Sequence, residues 1–415
     1  MSEQRPERSP RRAGLQLSLA SVLLGVLLLG AAIAFGLNAP SRAGSQAPPL
    51  ASSAASPAEG MAPSQTPVPA AEMPLAVATR APLPAVARAP GSAQLLFVGD
   101  VMLGRGIRPV RAQHGNGYPL AQVAPIIHGA DLSFANLESP LTVLAYFRGG
   151  FNLHAEPAAA EALTLAGFDW VSVANNHSGD HGRGGMVDTL NALRGQNIGW
   201  AGGGDTESAA RRPATRTVNG LRIALMAYDG TMSTIEAQGP LAGSQQLDMD
   251  RAIGDIKAAR AAGADIVICS IHWGVEYSPT PTAGQRRIAQ QLALAGADLV
   301  IGHHPHVVEP LEWIRCADGR TSLVAYSLGN FLFDQWFSDP VMEGVIARVL
   351  VDKNGVTALN LIPTRNPAGQ VHALTPDAAA AEMQRLLPGG ALPADWQRNA
   401  AEDSDGRVWW HKPSP

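Results

Sequence analysis

The chain has little cysteine, with two residues of this type among 415. So few cysteines exclude a disulfide-rich scaffold, and no CxxC pair offers thiolates to a metal. Cys269 falls inside a predicted buried strand, where a small apolar thiol is the plainer interpretation. A disulfide from Cys269 to Cys316 stays open for a protein outside the cytoplasm, because the sequence does not show whether the two positions meet.

The chain also lacks any long block of charge of one sign. Its 31 basic and 35 acidic residues give a net charge of −4 and are scattered along the sequence. This pattern gives no reason to expect a nucleic acid as the main partner. The length allows one large domain or two ordinary ones.

The N-terminal region has the pattern of a membrane anchor. Residues 1–14 carry four arginines, and residues 15–37 contain no charged side chain. The uncharged run is long enough to span a bilayer, and the arginines predict an N-terminus inside the cell. We therefore expect a cytoplasmic tail over 1–14, a single-pass anchor in the cytoplasmic (inner) membrane over 15–37, and a catalytic domain outside the cytoplasm. The alternative is secretion after cleavage of a signal peptide near Ser41–Ala43.

Composition divides the rest of the chain into three parts. Residues 38–92 are rich in Ala, Pro and Ser without an aromatic side chain, which is typical of a disordered, extended linker. A globular domain is predicted over 93–375. Residues 376–415 become Ala- and Pro-rich again, and we expect a loosely docked C-terminal tail.

Strands alternate with helices of about a dozen residues in the predicted domain, which indicates an α/β fold. The predicted strands are Gln94–Val98, Leu221–Tyr228, Ser322–Ser327 and Glu343–Val351, together with the strands that precede the polar residues described next. The predicted helices are Leu120–Ile127, which Pro125 weakens, Pro157–Gly167, Gly184–Gly195, Asp248–Gly263 and Pro281–Gly296.

Polar side chains follow several of these strands. A local pattern of Gly, a turn Asp, a buried strand and then metal-ligand side chains occurs four times. The residues delivered in this way are Asn136 with Glu138, Asn175 with Asn176 and His177, His272, and His303 with His304 and His306, while Asp100 ends the first strand. Carboxyl ends of strands meet at one edge of an α/β sheet, so we expect these side chains to converge.

The chemistry of this set predicts a metal centre. Carboxylates, an amide and imidazoles without a thiolate suit Mn²⁺, Fe²⁺ or Zn²⁺. Two divalent cations against two carboxylates leave excess positive charge, which favours an anionic substrate and hydrolysis assisted by two metals. Buried histidines that only satisfy hydrogen bonds would explain one such position, but not six in matching contexts.

Six sequence blocks, in order over about residues 94–335, carry a resemblance to a known family. They are LFVGDVMLGR, ANLESPLT, GFDWVSVANNHSGDHG, SIHWG, GHHPHV and YSLGNF. The chain resembles the CapA-type poly-γ-glutamate capsule-synthesis family, which is similar to the calcineurin-like metallophosphoesterases. The resemblance implies two packed mixed β-sheets flanked by helices, a four-layer sandwich.

The resemblance also implies roles for individual residues. The implied metal ligands, for two divalent ions, are Asp100, Glu138 as the bridging carboxylate, Asn176, His272, His304 and His306. His177 would steady the leaving or attacking oxygen. Phosphoesterases commonly have His where this chain has Met102, a poor ligand for a hard cation, so one ion would bind more weakly or be absent. His303 lies outside the matching pair, and packing and a supporting role both stay open.

Three further positions have two interpretations each. Arg105 would clamp a phosphate or carboxylate of the substrate, or form an ion pair at a strand end. Asp180 or His181 would orient His177, although Asp180 equally suits a helix cap. Asn330 would line the substrate-binding wall, or form a turn.

These expectations lead to a membrane-anchored metallohydrolase of phosphoesters or phosphoanhydrides outside the cytoplasm. Its expected partners are an anionic envelope polymer or phosphorylated substrate, and the membrane proteins of capsule synthesis. The alternative is a poly-γ-glutamate binding or export component without hydrolytic activity. Cleavage of the γ-amide by the same metal centre is a third interpretation, which the sequence does not separate from the first.

Overall fold

A computed structural model describes residues 91–387, 392–403 and 405–413. The predicted cytoplasmic tail, the membrane anchor and the predicted linker up to residue 90 lie outside this range. Among the helices of the described residues, none is long and apolar enough to cross a membrane.

The strands of the described residues are numbered in chain order. They are β1 Ser92–Val101, β2 Leu132–Leu137, β3 Trp170–Ser172, β4 Gly199–Ala201, β5 Gly203–Gly204, β6 Ala214–Val218, β7 Leu221–Asp229, β8 Gly243–Ser244, β9 Ile266–His272, β10 Leu299–His303, β11 Val308–Arg315, β12 Thr321–Leu328, β13 Asn330–Leu332, β14 Glu343–Asp352, β15 Gly355–Arg365, β16 His372–Ala373, β17 Ala400–Glu402 and β18 Val408–His411.

The α-helices are α1 Ile107–His114, α2 Ala124–His128, α3 Glu161–Ala166, α4 Gly182–Gly195, α5 Glu207–Ala210, α6 Met249–Ala261, α7 Ala283–Ala295, α8 Asp339–Met342, α9 Pro376–Leu386 and α10 Ala394–Arg398. Short 3₁₀ turns cover Tyr118–Leu120 and Pro157–Ala160. Asp248 caps α6 by accepting a hydrogen bond from the Arg251 amide, as the sequence predicts.

The larger sheet has the strand order β17-β18-β15-β14-β1-β2-β3-β4, with β13 also paired to β1 and β16 to β15. The neighbours β1, β2, β3 and β4 run parallel, whereas β14 is antiparallel to β1. In this register Asp100 of β1 lies between Asn136 of β2 and Asn330 of β13. The sheet therefore delivers three polar residues to neighbouring positions.

The smaller sheet has the order β11-β12-β10-β9-β7-β6. Its four central strands are parallel, and both edge strands are antiparallel to their neighbours. His272, the last residue of β9, pairs with His303, the last residue of β10. The smaller sheet thus brings its own imidazoles to the carboxyl ends of its strands. A separate pair is formed by β5 and β8.

The two sheets pack against each other. Leu95 and Phe97 of β1 share a buried cluster with Ile268 of β9 and Ile301 of β10. The alternate residues of β1 face the other way and pack with α1, α3 and α4. The outer face of the smaller sheet packs against α6 and α7. The predicted mixed α/β fold, with several sheets and helices on their outer faces, is what the structure shows.

The C-terminal residues differ from the loosely docked tail that composition predicts. Strand β18 pairs with β15 and extends the larger sheet. Trp396 and Trp409 are buried, and Trp396 packs against Trp313 of β11 with 4.5 Å between ring centroids. The cysteine alternative is also resolved, because Cys269 and Cys316 are both buried and free.

Candidate metal centre

The predicted ligands are carried by strand ends of both sheets. Asp100 lies near the end of β1, and Glu138 directly follows β2. His272 ends β9, and His304 and His306 follow β10. Asn176 and His177 lie in the loop after β3. The structure brings these side chains together, as the contacts below show.

Glu138 is at the centre of the cluster and is fully buried. Its Oε1 lies 3.9 Å from Nε2 of His177, 3.9 Å from Nε2 of His272 and 3.8 Å from Nε2 of His306. This oxygen has no hydrogen-bond partner among the described residues. The distances are too long for hydrogen bonds, whereas two ligands each about 2.1 Å from one ion lie roughly 3 to 4 Å apart. The residues present therefore fit a bound cation.

Asp100 is the second buried carboxylate. Its Oδ2 lies 3.4 Å from Nδ1 of His306 and accepts a hydrogen bond from the His304 amide at 3.3 Å. Burial alone would raise the pKa of Asp100, but its interactions with the neighbouring imidazoles of His303 and His306 hold the pKa well below its ordinary value. Asp100 is therefore a carboxylate anion, as a metal ligand must be.

The environment of Glu138 opposes its charge. Burial, followed by repulsion from Asp100 and Glu276, raises the pKa of Glu138 well above its ordinary value. Two carboxylates this close are stabilised in their charged form by a cation between them. Glu138, Asp100 and His272 each offer a ligand atom, and these atoms lie within 4.8 Å of one another.

The imidazoles of His272 and His304 are neutral. Burial, aided by the neighbouring histidines, lowers the pKa of His272 well below its ordinary value and that of His304 to about 4. Their ring centroids are 4.8 Å apart. The neutral imidazole is the form that binds metals. Asn176 completes this side of the cluster, with its Oδ1 2.9 Å from Nε2 of His272.

Asn330 is buried beside His306. Its Nδ2 donates hydrogen bonds to the Val341 carbonyl at 2.9 Å and to Gln335 at 3.0 Å. Its Oδ1 lies 3.0 Å from Nδ1 of His306. These contacts make Asn330 a support for His306, and its substrate-binding role stays a prediction.

His177 is oriented by Asp180, which decides between the two candidates. Nδ1 of His177 lies 2.8 Å from Oδ2 of Asp180. His181 instead contacts the Leu144 carbonyl and Asn152. Helix α4 begins at Gly182 without a side-chain cap, so Asp180 is not used as one.

Arg105 forms the ion pair that was its alternative interpretation. Its guanidinium binds both carboxylate oxygens of Asp334. It also lies over the Phe333 ring, 5.7 Å from the centroid, and Phe333 in turn packs against His306. A substrate clamp at Arg105 stays a prediction, and it would require Asp334 to release the guanidinium.

Met102 and His303 are buried next to the cluster. Met102 is buried in the outer hydrophobic cluster, and its Sδ accepts a hydrogen bond from the Gly104 amide at 3.0 Å. It supplies nothing in place of the missing His. His303 lies 3.5 Å from Asp100 through Nδ1 and packs against Phe134. Among the described residues neither ring nitrogen of His303 has a hydrogen-bond partner.

The structure gives Asn136 contacts that the sequence does not predict, and it adds Glu276 to the cluster. Nδ2 of Asn136 lies 2.8 Å from Asp100, 3.4 Å from Glu138 and 3.3 Å from His272, so this amide ties three ligands together. Asn136 lies in β2 and Glu138 follows two residues later, so extended backbone would place both side chains on one face, which is a usable signal. Glu276 offers a carboxylate oxygen within 4.8 Å of the ring nitrogens of His304 and His306. No spacing in the sequence distinguishes Glu276 from a surface carboxylate.

Backbone strain is concentrated beside the cluster. His304 and His306 have φ values of 100° and 58°, in the region that favours glycine. Gly302 precedes them, and a Cβ there would lie 1.9 Å from the Tyr326 carbonyl oxygen. Such conformations persist where the surrounding structure imposes them, often at functional sites.

A family model described as bacterial capsule synthesis protein PGA_cap matches residues 94–335. The chain belongs to this family. The prediction of a CapA-type capsule-synthesis protein is thereby confirmed.

Two relatives align with this chain over about 70% or more of their own length. The chain is similar to the capsule biosynthesis protein CapA of Bacillus anthracis, with 29% identity over 328 residues that cover 77% of this chain and 75% of the relative. It is similar to the PGA biosynthesis protein CapA of Bacillus subtilis (strain 168), with 32% identity over 285 residues that cover 68% and 72%. A solved calcineurin-like phosphoesterase from Bacillus subtilis aligns with a TM-score of 0.33 and 14% identity, over 68% of this chain and 88% of that one.

Proposed function

We propose that this capsule-synthesis family member is a metal-dependent hydrolase that cleaves a phosphoester or phosphoanhydride. The observation that carries the proposal is Oε1 of Glu138, a buried oxygen without a hydrogen-bond partner among the described residues, which is faced by Nε2 of His272 at 3.9 Å and Nε2 of His306 at 3.8 Å. Six ligand-type side chains around one point, from strands of two sheets, are suited to holding divalent cations.

Asp100, Glu138, Asn176, His272, His304 and His306 would hold the ions. Mn²⁺, Fe²⁺ and Zn²⁺ match this mixture of oxygen and nitrogen ligands. Divalent cations held here would neutralise negative charge on a substrate and activate water. An anionic substrate is the chemistry to which this site is suited.

His177 has the geometry of a proton donor. Its Nδ1 contacts Asp180 at 2.8 Å, while its Nε2 faces Glu138 in the cluster. The Asp180 carboxylate contacts Nδ1 of His177 and fixes the direction of the ring. His177 would then donate the proton on Nε2 to the leaving oxygen, which is general acid catalysis.

The biological setting is proposed from the family and the N-terminal sequence. The two Bacillus relatives are named for capsule biosynthesis and PGA biosynthesis. We infer that the substrate is a phosphate group carried on an envelope polymer or lipid. Residues 15–37 would tether the enzyme outside the cytoplasm. Its partners would be the membrane proteins of capsule synthesis.

The test replaces His304 by alanine. His304→Ala should lower hydrolysis of a model phosphoester at least about 100-fold and reduce bound metal, with unchanged circular dichroism. His372→Ala, at an exposed histidine on β16, is the matched control and should keep both. Full activity in His304→Ala would refute the proposal.

One observation favours a second function: Met102 is buried at a position where phosphoesterases commonly have a histidine ligand. In that case the chain would bind poly-γ-glutamate without hydrolysing phosphate. Wild-type protein free of metal, with polyglutamate binding unchanged in Asp100→Ala, would favour this function.

A further inference from the structure

Glu276 lies on the loop that follows His272, at the solvent side of the cluster. One of its carboxylate oxygens and one ring nitrogen each of His304 and His306 lie within 4.8 Å of one another. Nδ1 of His304 is buried and has no hydrogen-bond partner among the described residues. One carboxylate oxygen and two imidazole nitrogens this close together have the composition of a cation site.

The loop that carries Glu276 is fixed on both sides of this residue. The Trp273 amide donates to the His303 carbonyl at 3.0 Å, and the Tyr277 amide donates to the Pro305 carbonyl at 2.7 Å. Tyr277 adopts a φ of 64°, an uncommon conformation for a bulky residue. Two backbone anchors to the His303–His306 segment thus hold Glu276 against the imidazoles, unlike a free surface carboxylate.

Compared with the ligand set that the resemblance implies, the cluster without Glu276 has one ligand fewer. The position two residues after Asp100 is Met102, which is buried in the hydrophobic core and bonded to the Gly104 amide. Asp100 and His306 would therefore share their ion with fewer protein donors than the resemblance implies. A third carboxylate would also bring the ligand charge closer to that of two divalent cations.

We propose that Glu276 is a metal ligand that acts with His304 and His306, in place of the donor that the chain lacks at Met102. This inference rests on the proposed function only in requiring that the cluster binds metal. Glu276 is exposed whereas the other carboxylates are buried, so it is the outermost ligand of the centre.

The experiment measures metal binding by the purified full-length chain. Protein stripped with a chelator is titrated with Mn²⁺, and free Mn²⁺ is followed by electron paramagnetic resonance. Glu276→Gln should raise the dissociation constant of at least one Mn²⁺ about tenfold or more, because it removes a charged donor and keeps the shape. Glu276→Asp, which shortens the reach, should give an intermediate value.

Glu402→Gln is the matched control, since it makes the same change at an exposed glutamate on β17. Glu402→Gln should bind Mn²⁺ as wild type does. After the metal has been removed, all variants should have the melting temperature of wild type treated in the same way. Equal dissociation constants for Glu276→Gln and wild type would overturn this inference and leave the proposed function standing. Wild-type protein that binds no Mn²⁺, Zn²⁺ or Fe²⁺ would overturn both.

Discussion

Nδ1 of His306 donates a hydrogen bond to Oδ1 of Asn330 across 3.0 Å. The direction follows from the amide, because its Nδ2 already donates to the Val341 carbonyl and to Gln335. His306 therefore carries its proton on Nδ1 and directs the lone pair of Nε2 towards Glu138. This is the arrangement by which a neighbouring group sets the tautomer of a metal-binding histidine.

Asn330→Ala should weaken metal binding about 10- to 100-fold, because His306 loses the acceptor that fixes its tautomer. Asn330→Asp keeps an acceptor at the same place and should retain most of the affinity. Calorimetric titration with Mn²⁺ measures both, and circular dichroism checks that the variants are folded. Equal losses in the two variants would show that the tautomer is not what Asn330 controls.

Removal of metal should destabilise the protein. Without cations, Asp100 and Glu138 face each other in a buried site, and binding of an ion at 100 times its dissociation constant contributes about 2.7 kcal/mol to the free energy of unfolding. A chelator should therefore lower the melting temperature of wild type and have little effect on His304→Ala. A melting temperature independent of chelator in wild type contradicts the metal centre.

Asp180→Asn should reduce turnover of a model phosphoester about 10- to 100-fold, because a neutral amide holds the His177 ring in its orientation less firmly than a carboxylate. The Michaelis constant and the metal content should change little, since Asp180 contacts His177 and not the ligands. Asp205→Asn, at an exposed position, is the control. A loss of metal in Asp180→Asn would show a structural role instead.

Glu309 gives a prediction for stability against pH. It is buried on β11 with Oε2 bonded to Gln285 at 2.8 Å, and burial raises its pKa from 4.5 to about 7. The folded state therefore binds this proton more tightly than the unfolded state. The contribution to the free energy of unfolding is fully present below about pH 4.5 and is lost as pH rises through about 7.

Glu309→Gln cannot lose a proton, so its stability relative to wild type should increase between pH 4.5 and 8 by up to about 3 kcal/mol. Urea unfolding at several pH values measures the difference, and Glu402→Gln serves as the exposed control. If the curves of Glu309→Gln and wild type stay parallel over this range, the glutamate is not protonated in the folded protein.

The predictable part of the site follows from strand periodicity and strand ends. Asp100, Glu138 and His272 each stand at the carboxyl end of a buried apolar strand, and parallel pairing brings such ends together. Helix signals were equally local. Gly167 ends α3 with a φ of 92°, and Pro157 opens the 3₁₀ turn before it.

The parts that sequence reasoning missed depend on distant contacts. Arg105 forms its ion pair with Asp334, which lies 229 positions later in the chain. The conformation that presents Glu276 is set by hydrogen bonds to His303 and Pro305. The sequence predicts that Pro125 weakens a helix, but Pro125 lies in the first turn of α2, where proline is tolerated. Propensity and period carry no information on such contacts.

Composition misled most at the C-terminus. Residues 376–413 are rich in Ala and Pro. Nevertheless, β18 pairs with β15 of the larger sheet, and Trp396 packs against Trp313 of the smaller sheet. Trp396 and Trp409 are both buried, and their packing has more effect on this segment than its average composition.

This C-terminal segment fastens the two sheets to each other, since α10 packs on β11 of one sheet while β18 extends the other. A shortened chain that stops before residue 394 would leave the backbone of Ala358–Asn360 as an open edge and uncover Trp313. Open edges beside bare aromatic surface invite self-association. We therefore expect a chain shortened in this way to self-associate.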